Sequence, residues 1–138
     1  MTTEKILQER KFNNIRFNQN DSIDFAKEFD PNPIHLKENS YNPFIKKRCV
    51  SGIYVQSVIN KILLHSDIYE GLVCATNVSV KFIRPVIPES PLLLVCHYED
   101  YSHRKSRKYI FRKIKCILKE EISNMILVEY KVTNIIGC

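Results

Sequence analysis

A change of hydrophobic period near Gly71 constrains this chain more than any other feature. Before it, Tyr54, Val55, Val58, Ile59, Ile62 and Leu63 form one broad apolar stripe at helical spacing, with Gln56, Asn60 and Lys61 off it. Ser51 is a good N-cap residue type, so the stripe predicts a mostly buried helix from Gly52 to about His65. After Gly71 the period falls to two. Val78, Val80 and Phe82 alternate with Asn77, Ser79 and Lys81, and Pro85 and Pro88 then punctuate the chain. The alternation resumes through Leu92–Glu99, Ile110–Lys119 and Ile126–Thr133. These runs predict four half-buried strands joined by turns, an antiparallel meander. One helix cannot cover a flat sheet of that width. The sheet must curl around the helix, or a second subunit must extend it.

Both features describe a hot-dog dimer. The expected fold class is α+β: a single hot-dog domain over residues 1–138, its long central helix wrapped by a curled antiparallel β-sheet. A chain of 138 residues suits one domain and can close one core without staples. No Gly/Ser linker, repeat or composition shift divides it. The cysteines (Cys49, Cys74, Cys96, Cys116 and Cys138) are odd in number, scattered and never in a C-x-x-C pair, which argues against a zinc site or disulfide framework. No metal is expected, and free thiols suit a reducing compartment. The opening MTTEKILQERKF has no apolar run of a secretory signal, and no stretch approaches the ~20 apolar residues of a membrane helix. The expectation is a cytoplasmic protein away from membranes. With only three glycines, Gly52, Gly71 and Gly137, a Gly-rich phosphate loop is absent.

The net charge of +6 is unevenly spread. His103 to Lys108, then Arg112, Lys113, Lys115 and Lys119, form one basic stretch. It reads either as a solvated strand face or as a surface for nucleic acid, a phosphorylated cofactor or an acidic carrier protein. Tyr101, Tyr109 and Phe111 interleave with it, as aromatics do in nucleic-acid binders and also in ordinary strands.

Upstream, residues 14–18 suggest a short strand, and Asp21 or Ser22 can cap a short helix ending near Phe29. Asp30-Pro-Asn-Pro-Ile-His35 follows. Each proline pushes the residue before it out of the α region, so a stiff extended or turning loop is expected. Such a loop can bring Asp30 and His35 to one pocket at low entropic cost. A carboxylate beside an imidazole suits acid–base chemistry near neutral pH. The same residues also serve elsewhere as a turn cap and a structural histidine. Ser51-Gly52, at the mouth of the long helix, is open to two readings. The first amides of a helix lack internal partners, and a glycine lets a carbonyl oxygen approach them closely, as in an oxyanion site. An ordinary cap with a small neighbour has the same sequence. His65 reads as a helix C-cap near Asp67, His97 as an exposed strand residue on the Glu99 face, and His103 as part of the basic turn.

Taken together, Asp30-x-Asn32-Pro33-x-His35, then Ser51-Gly52 and Ser57, resemble the MaoC-like hydratase family, which includes the R-specific enoyl-CoA hydratases. The run Phe82-Ile-Arg-Pro-Val86 also resembles the strand after that family's central helix. The resemblance covers about Asp21 to Pro91. It implies a hydratase/dehydratase interconverting trans-2-enoyl and R-3-hydroxyacyl thioesters of CoA or acyl carrier protein, with no further cofactor. Asp30 and His35 would activate a water that adds to C3 while a proton reaches C2. The Gly52 N–H would bind the thioester oxygen. Asn32 would hold the loop, and Ser57 would support the site from the helix. Many members carry His-Gly where this chain has Ser51-Gly52, and the stretch 44–50 is more basic here. A non-catalytic acyl-thioester binding protein and a hot-dog thioesterase remain alternatives within the fold.

Overall fold

The computed structural model describes residues 7–38, 44–102 and 108–137. The chain begins with strand β1 (Gln8–Ile15), then helices α1 (Gln19–Phe29), α2 (Pro33–Leu36) and α3 (Gly52–Leu64). A 3-10 turn at Asp67–Tyr69 leads into strands β2 (Leu72–Phe82), β3 (Leu92–Ser102), β4 (Tyr109–Glu120) and β5 (Ile126–Gly137).

The period-two runs all form strands, and every pairing is antiparallel. The order across the sheet is β1-β3-β4-β5-β2. Only β3, β4 and β5 make the expected meander; β2 joins the far edge beside β5 rather than pairing with β3. The connection explains the correction. Pro85, Pro88 and Pro91 fall between β2 and β3, and prolines offer no N–H to a ladder. Such a segment is too long and stiff for a tight hairpin, so it carries the chain across the sheet instead. A second correction concerns burial. β2 is exposed along nearly its whole length, with Val78 and Phe82 open to solvent, because no strand lies beyond it.

At the other edge, β1 starts earlier than the hydrophobic pattern suggests. It ends at Ile15, where the register shifts and Asn14 adopts a left-handed φ of 58°. Its Glu9, Arg10 and Lys11 give it the charged character that keeps an edge strand from pairing further.

The core forms where the α3 stripe meets one face of the sheet. Val55, Ile59 and Leu63, spaced four apart, are fully buried. They share a core with Leu92, Leu94 and Cys96 of β3, Ile114, Cys116 and Leu118 of β4, and Val128, Tyr130 and Val132 of β5. Each strand sends alternate residues inward, as its period requires. Ile59 lies in the middle of this stripe, so Ile59→Ala is expected to cost about 2–5 kcal/mol of unfolding free energy. Chemical denaturation measures it, and a change below about 1 kcal/mol would contradict this packing.

The helix boundaries follow from local chemistry. Asn18, not Asp21 or Ser22, caps α1: its side chain accepts the Asp21 amide at 3.0 Å. Ser22 is fully buried instead. The loop expected after Asp30 contains one helical turn. Asn32 accepts the Ile34 amide at 3.2 Å, and Pro33 occupies the first helical position, where its missing N–H costs nothing. His65 caps the C-terminus of α3, its amide bonded to the Lys61 carbonyl at 3.2 Å. Asp67 pairs with Arg10 at 2.8 Å. No helix among the described residues is long and apolar enough to cross a membrane. Cys49, Cys96 and Cys116 are buried, Cys74 is exposed, and all four are free thiols.

Candidate active site

Asp30 stands at the C-terminal end of α1, its amide bonded to the Ala26 carbonyl at 2.9 Å. An aromatic ladder sets where that end points. Phe25 stacks on Tyr54 of α3 with centroids 4.8 Å apart, and Phe29 packs on Phe25 at 4.9 Å. The Asp30-Pro-Asn-Pro turn then reverses the chain. The Asn32 amide bonds the Asp30 carbonyl at 2.8 Å, and the His35 amide bonds the Asn32 carbonyl at 2.9 Å. This brings His35 back against Asp30, with Nε2 and Oδ2 3.2 Å apart. The His35 ring is nearly enclosed, whereas the Asp30 carboxylate is partly open.

Neither side chain is free to turn. The His35 Nδ1–H donates to the Cys49 carbonyl at 2.9 Å. The backbone around Cys49 is itself pinned, its amide donating to the Ile34 carbonyl at 2.9 Å. With Nδ1–H committed, Nε2 is the ring nitrogen left to gain and lose a proton, and it faces Asp30. On the other side, Ser51 Oγ donates to Asp30 Oδ2 at 2.7 Å. Ser51 therefore sits at the N-cap position of α3 but makes no side-chain cap bond. Its hydroxyl orients the carboxylate instead. Cys49 Sγ also lies 3.5 Å from His35 Nδ1, and burial, followed by the nearby Asp30 charge, pushes this thiol up from its ordinary range.

Asp30, His35, Cys49 and Gly52 line one side of a cavity of about 570 Å³. Apolar residues make up much of the rest, including Ile34, Ile53, Val55, Phe82 and Val86. The polar groups cluster at the N-terminus of α3, where backbone amides and the positive end of the helix dipole favour developing negative charge. Gly52 leaves room there for an aromatic ring. A Cβ at this position would stand 2.6 Å from Phe82 Cζ. Phe82 itself is half exposed, and its ring lies against Gly52 at the helix tip.

The other sequence candidates divide. Asn32 holds the turn through its cap bond and is not among the residues lining the cavity. Ser57 is exposed one turn further along α3, its hydroxyl donating to the Ile53 carbonyl at 2.9 Å, and does not line the cavity either. Arg84 lines the cavity, but its guanidinium donates to the Ile126 carbonyl at 2.6 Å. Lys46 and Lys47 border a shallower hollow that shares Phe44, Ile45 and Pro85 with the cavity. His97 is half exposed and meets Glu9 at 2.7 Å, and His103, with most of the basic turn, lies outside the described residues. Among the described residues no cluster of three or more His, Cys, Asp or Glu is placed to hold a metal ion. Two site features escaped the sequence reading: the Ser51 bond to Asp30, because serine before a helix signals a cap, and the Cys49 carbonyl, because a backbone acceptor leaves no mark on residue type.

Ser51→Ala is expected to keep the fold but loosen the Asp30 carboxylate, lowering turnover by about tenfold while leaving apparent substrate affinity nearly unchanged. Steady-state kinetics check it, and a change confined to KM would contradict an orienting role.

No protein-family model matches the sequence, and no curated protein matches it. Solved structures do match in shape. A MaoC-like dehydratase of Rhodospirillum rubrum aligns over 99% of this chain and 93% of its own, with a TM-score of 0.79 and 14% identity. An (R)-hydratase of A. caviae, involved in PHA biosynthesis, aligns over 92% of each chain with a TM-score of 0.69 and 18% identity. The C-terminally truncated 3R-hydroxyacyl-ACP dehydratase complex HadBC of Mycobacterium tuberculosis aligns over 98% of both chains, at a TM-score of 0.60 and 12% identity. Five antiparallel strands curled about α3, matched over nearly the full length of these proteins, give this chain the hot-dog fold of the MaoC-like dehydratases and R-hydratases.

Proposed function

We propose that this protein is a thioester hydratase/dehydratase of the MaoC-like kind, interconverting trans-2-enoyl and R-3-hydroxyacyl thioesters. One observation carries the reading: Asp30 Oδ2 and His35 Nε2 stand 3.2 Å apart, in a largely apolar cavity, beside the amide-rich tip of α3. In hydration, a water held by this pair adds its hydroxyl to C3, and the proton taken from the water is returned to C2. Charge that builds on the thioester oxygen meets the Gly52 N–H, a donor worth about 3 kcal/mol in such sites. The apolar wall suits the acyl chain. Dehydration reverses each step. Proton transfers are all the reaction needs, so this reading calls for no cofactor beyond the CoA or acyl carrier that bears the substrate.

The same reading assigns a homodimer. β2 leaves an unpaired edge with Val78 and Phe82 exposed, and the pairing of two such edges extends the sheet across both copies. It also places the enzyme in a reducing compartment, the cytoplasm, in keeping with its free thiols.

The deciding experiment follows crotonyl-CoA and longer enoyl thioesters by loss of enoyl absorbance with a thiol reagent present. Absorbance lost without thiol release supports hydration. Thiol release marks a thioesterase, and binding without turnover marks an acyl-thioester carrier. Light scattering should give twice the mass of one chain; a monomer at micromolar concentration contradicts the assembly.

A further inference from the structure

The outer face of the sheet carries a second cavity, of about 530 Å³, away from Asp30 and His35. Strand register sets what lines it. His97 of β3, Lys115 of β4, Lys131 of β5 and Ser79 of β2 stand in one row across four strands. The neighbouring row runs Glu99, Lys113, Thr133 and Asn77. Lys113, Lys115 and Lys131 therefore occupy adjacent sites on one face, with Lys115 and Lys131 directly opposite each other.

Like charges facing across an antiparallel pair destabilise a sheet. The acids nearby form no ion pair with either lysine: Glu129 shares this face two positions from Lys131 without an ion-pair contact to it. Glu9 is turned to His97 at 2.7 Å and to Lys11 at 3.6 Å. Glu99 accepts the Tyr101 hydroxyl. Lys113 lies over the Tyr101 ring, 4.7 Å from its centre. Among the described residues, neither Lys115 nor Lys131 has an ion-pair or hydrogen-bond partner. Among the described residues both ammonium groups thus stand unpaired in a concavity that also offers the polar side chains of Ser79, Thr133 and Asn77. Its volume is that of a small-molecule pocket.

We propose that this face binds a small phosphate-bearing ligand of about nucleotide size, its phosphates between Lys115 and Lys131. A phosphate would set negative charge directly between the two opposed ammonium groups, and lysine is a common phosphate partner. The site is independent of the chemistry assigned to Asp30 and His35.

Titration calorimetry at low salt, with inorganic pyrophosphate and separately with ADP, tests it on the intact protein. Both ligands should bind, with ADP tighter if the nucleoside also packs in the cavity. Lys115→Gln/Lys131→Gln should weaken both by at least about tenfold. Lys27→Gln/Lys61→Gln, which removes the same charge from the exposed helices, should leave binding within about twofold. Because it relieves repulsion, the sheet variant should melt no lower than the parent chain. A second readout needs no variant: ADP should shield the Lys115 and Lys131 amines from acylation, followed by mass spectrometry. Equal weakening in both variants, no binding of either ligand at millimolar concentration, or retention of mixed-sequence RNA with neither small anion bound would each overturn the assignment.

Discussion

His35→Ala is expected to lower kcat/KM for an enoyl thioester by about 10³-fold, within the range general acid–base groups contribute. The magnitude follows from how completely the ring is committed. Its Nδ1–H is bonded to the Cys49 carbonyl, its Nε2 faces Asp30, and no other imidazole among the described residues lines the cavity. Asp30→Asn should produce a loss of the same order, since it keeps the shape of the side chain and removes only its charge and basicity. Because the two groups act on one water, the double variant should lose little more than either single one. Multiplied losses would mean that they act in separate steps. Circular dichroism must show the fold intact, which the partly open position of Asp30 favours.

The second large effect is expected at Gly52. Gly52→Val should reduce kcat/KM by about 10²-fold, comparable to losing an oxyanion donor. Any side chain here drives into the Phe82 ring, whose Cζ would lie 2.6 Å from the new Cβ. Phe82 is half exposed and can swing away, so the melting temperature should fall by only a few degrees. What does not recover is the open approach to the first amides of α3. A large loss of stability with unchanged activity per folded molecule would place the importance of Gly52 in packing alone.

Much of this was legible in residue order. The helical stripe of α3 and the period-two runs of β2 to β5 are each local patterns, and local patterns survive into structure. So does the approach of Asp30 to His35, because two prolines leave the intervening chain few conformations. Other features were not legible. The placement of β2 beside β5 depends on where a proline-punctuated connection can run, and alternation says nothing about neighbours. The exposure of β2 follows from that placement. The single turn of α2 was hidden because Pro33 signals a break in most contexts and a start only when a capping residue such as Asn32 precedes it. Ser51 does hold the N-cap position its residue type suggests, but its bond to Asp30 left no trace: the partner lies 21 positions away, and nothing in the sequence ties the two together.

That serine sets a limit on how this molecule can be improved. A hydroxyl at the start of a helix normally secures the first turn, worth about 1 kcal/mol. Here it serves the carboxylate, so α3 begins less firmly than its sequence allows. Optimising the entry to this helix with a stronger cap such as Ser51→Asp would bury a second carboxylate beside Asp30, because Ser51 is fully enclosed, and so would cost stability as well as turnover. The usual stabilising change at a helix entry is therefore closed at this residue, and heat resistance has to be sought elsewhere in the fold.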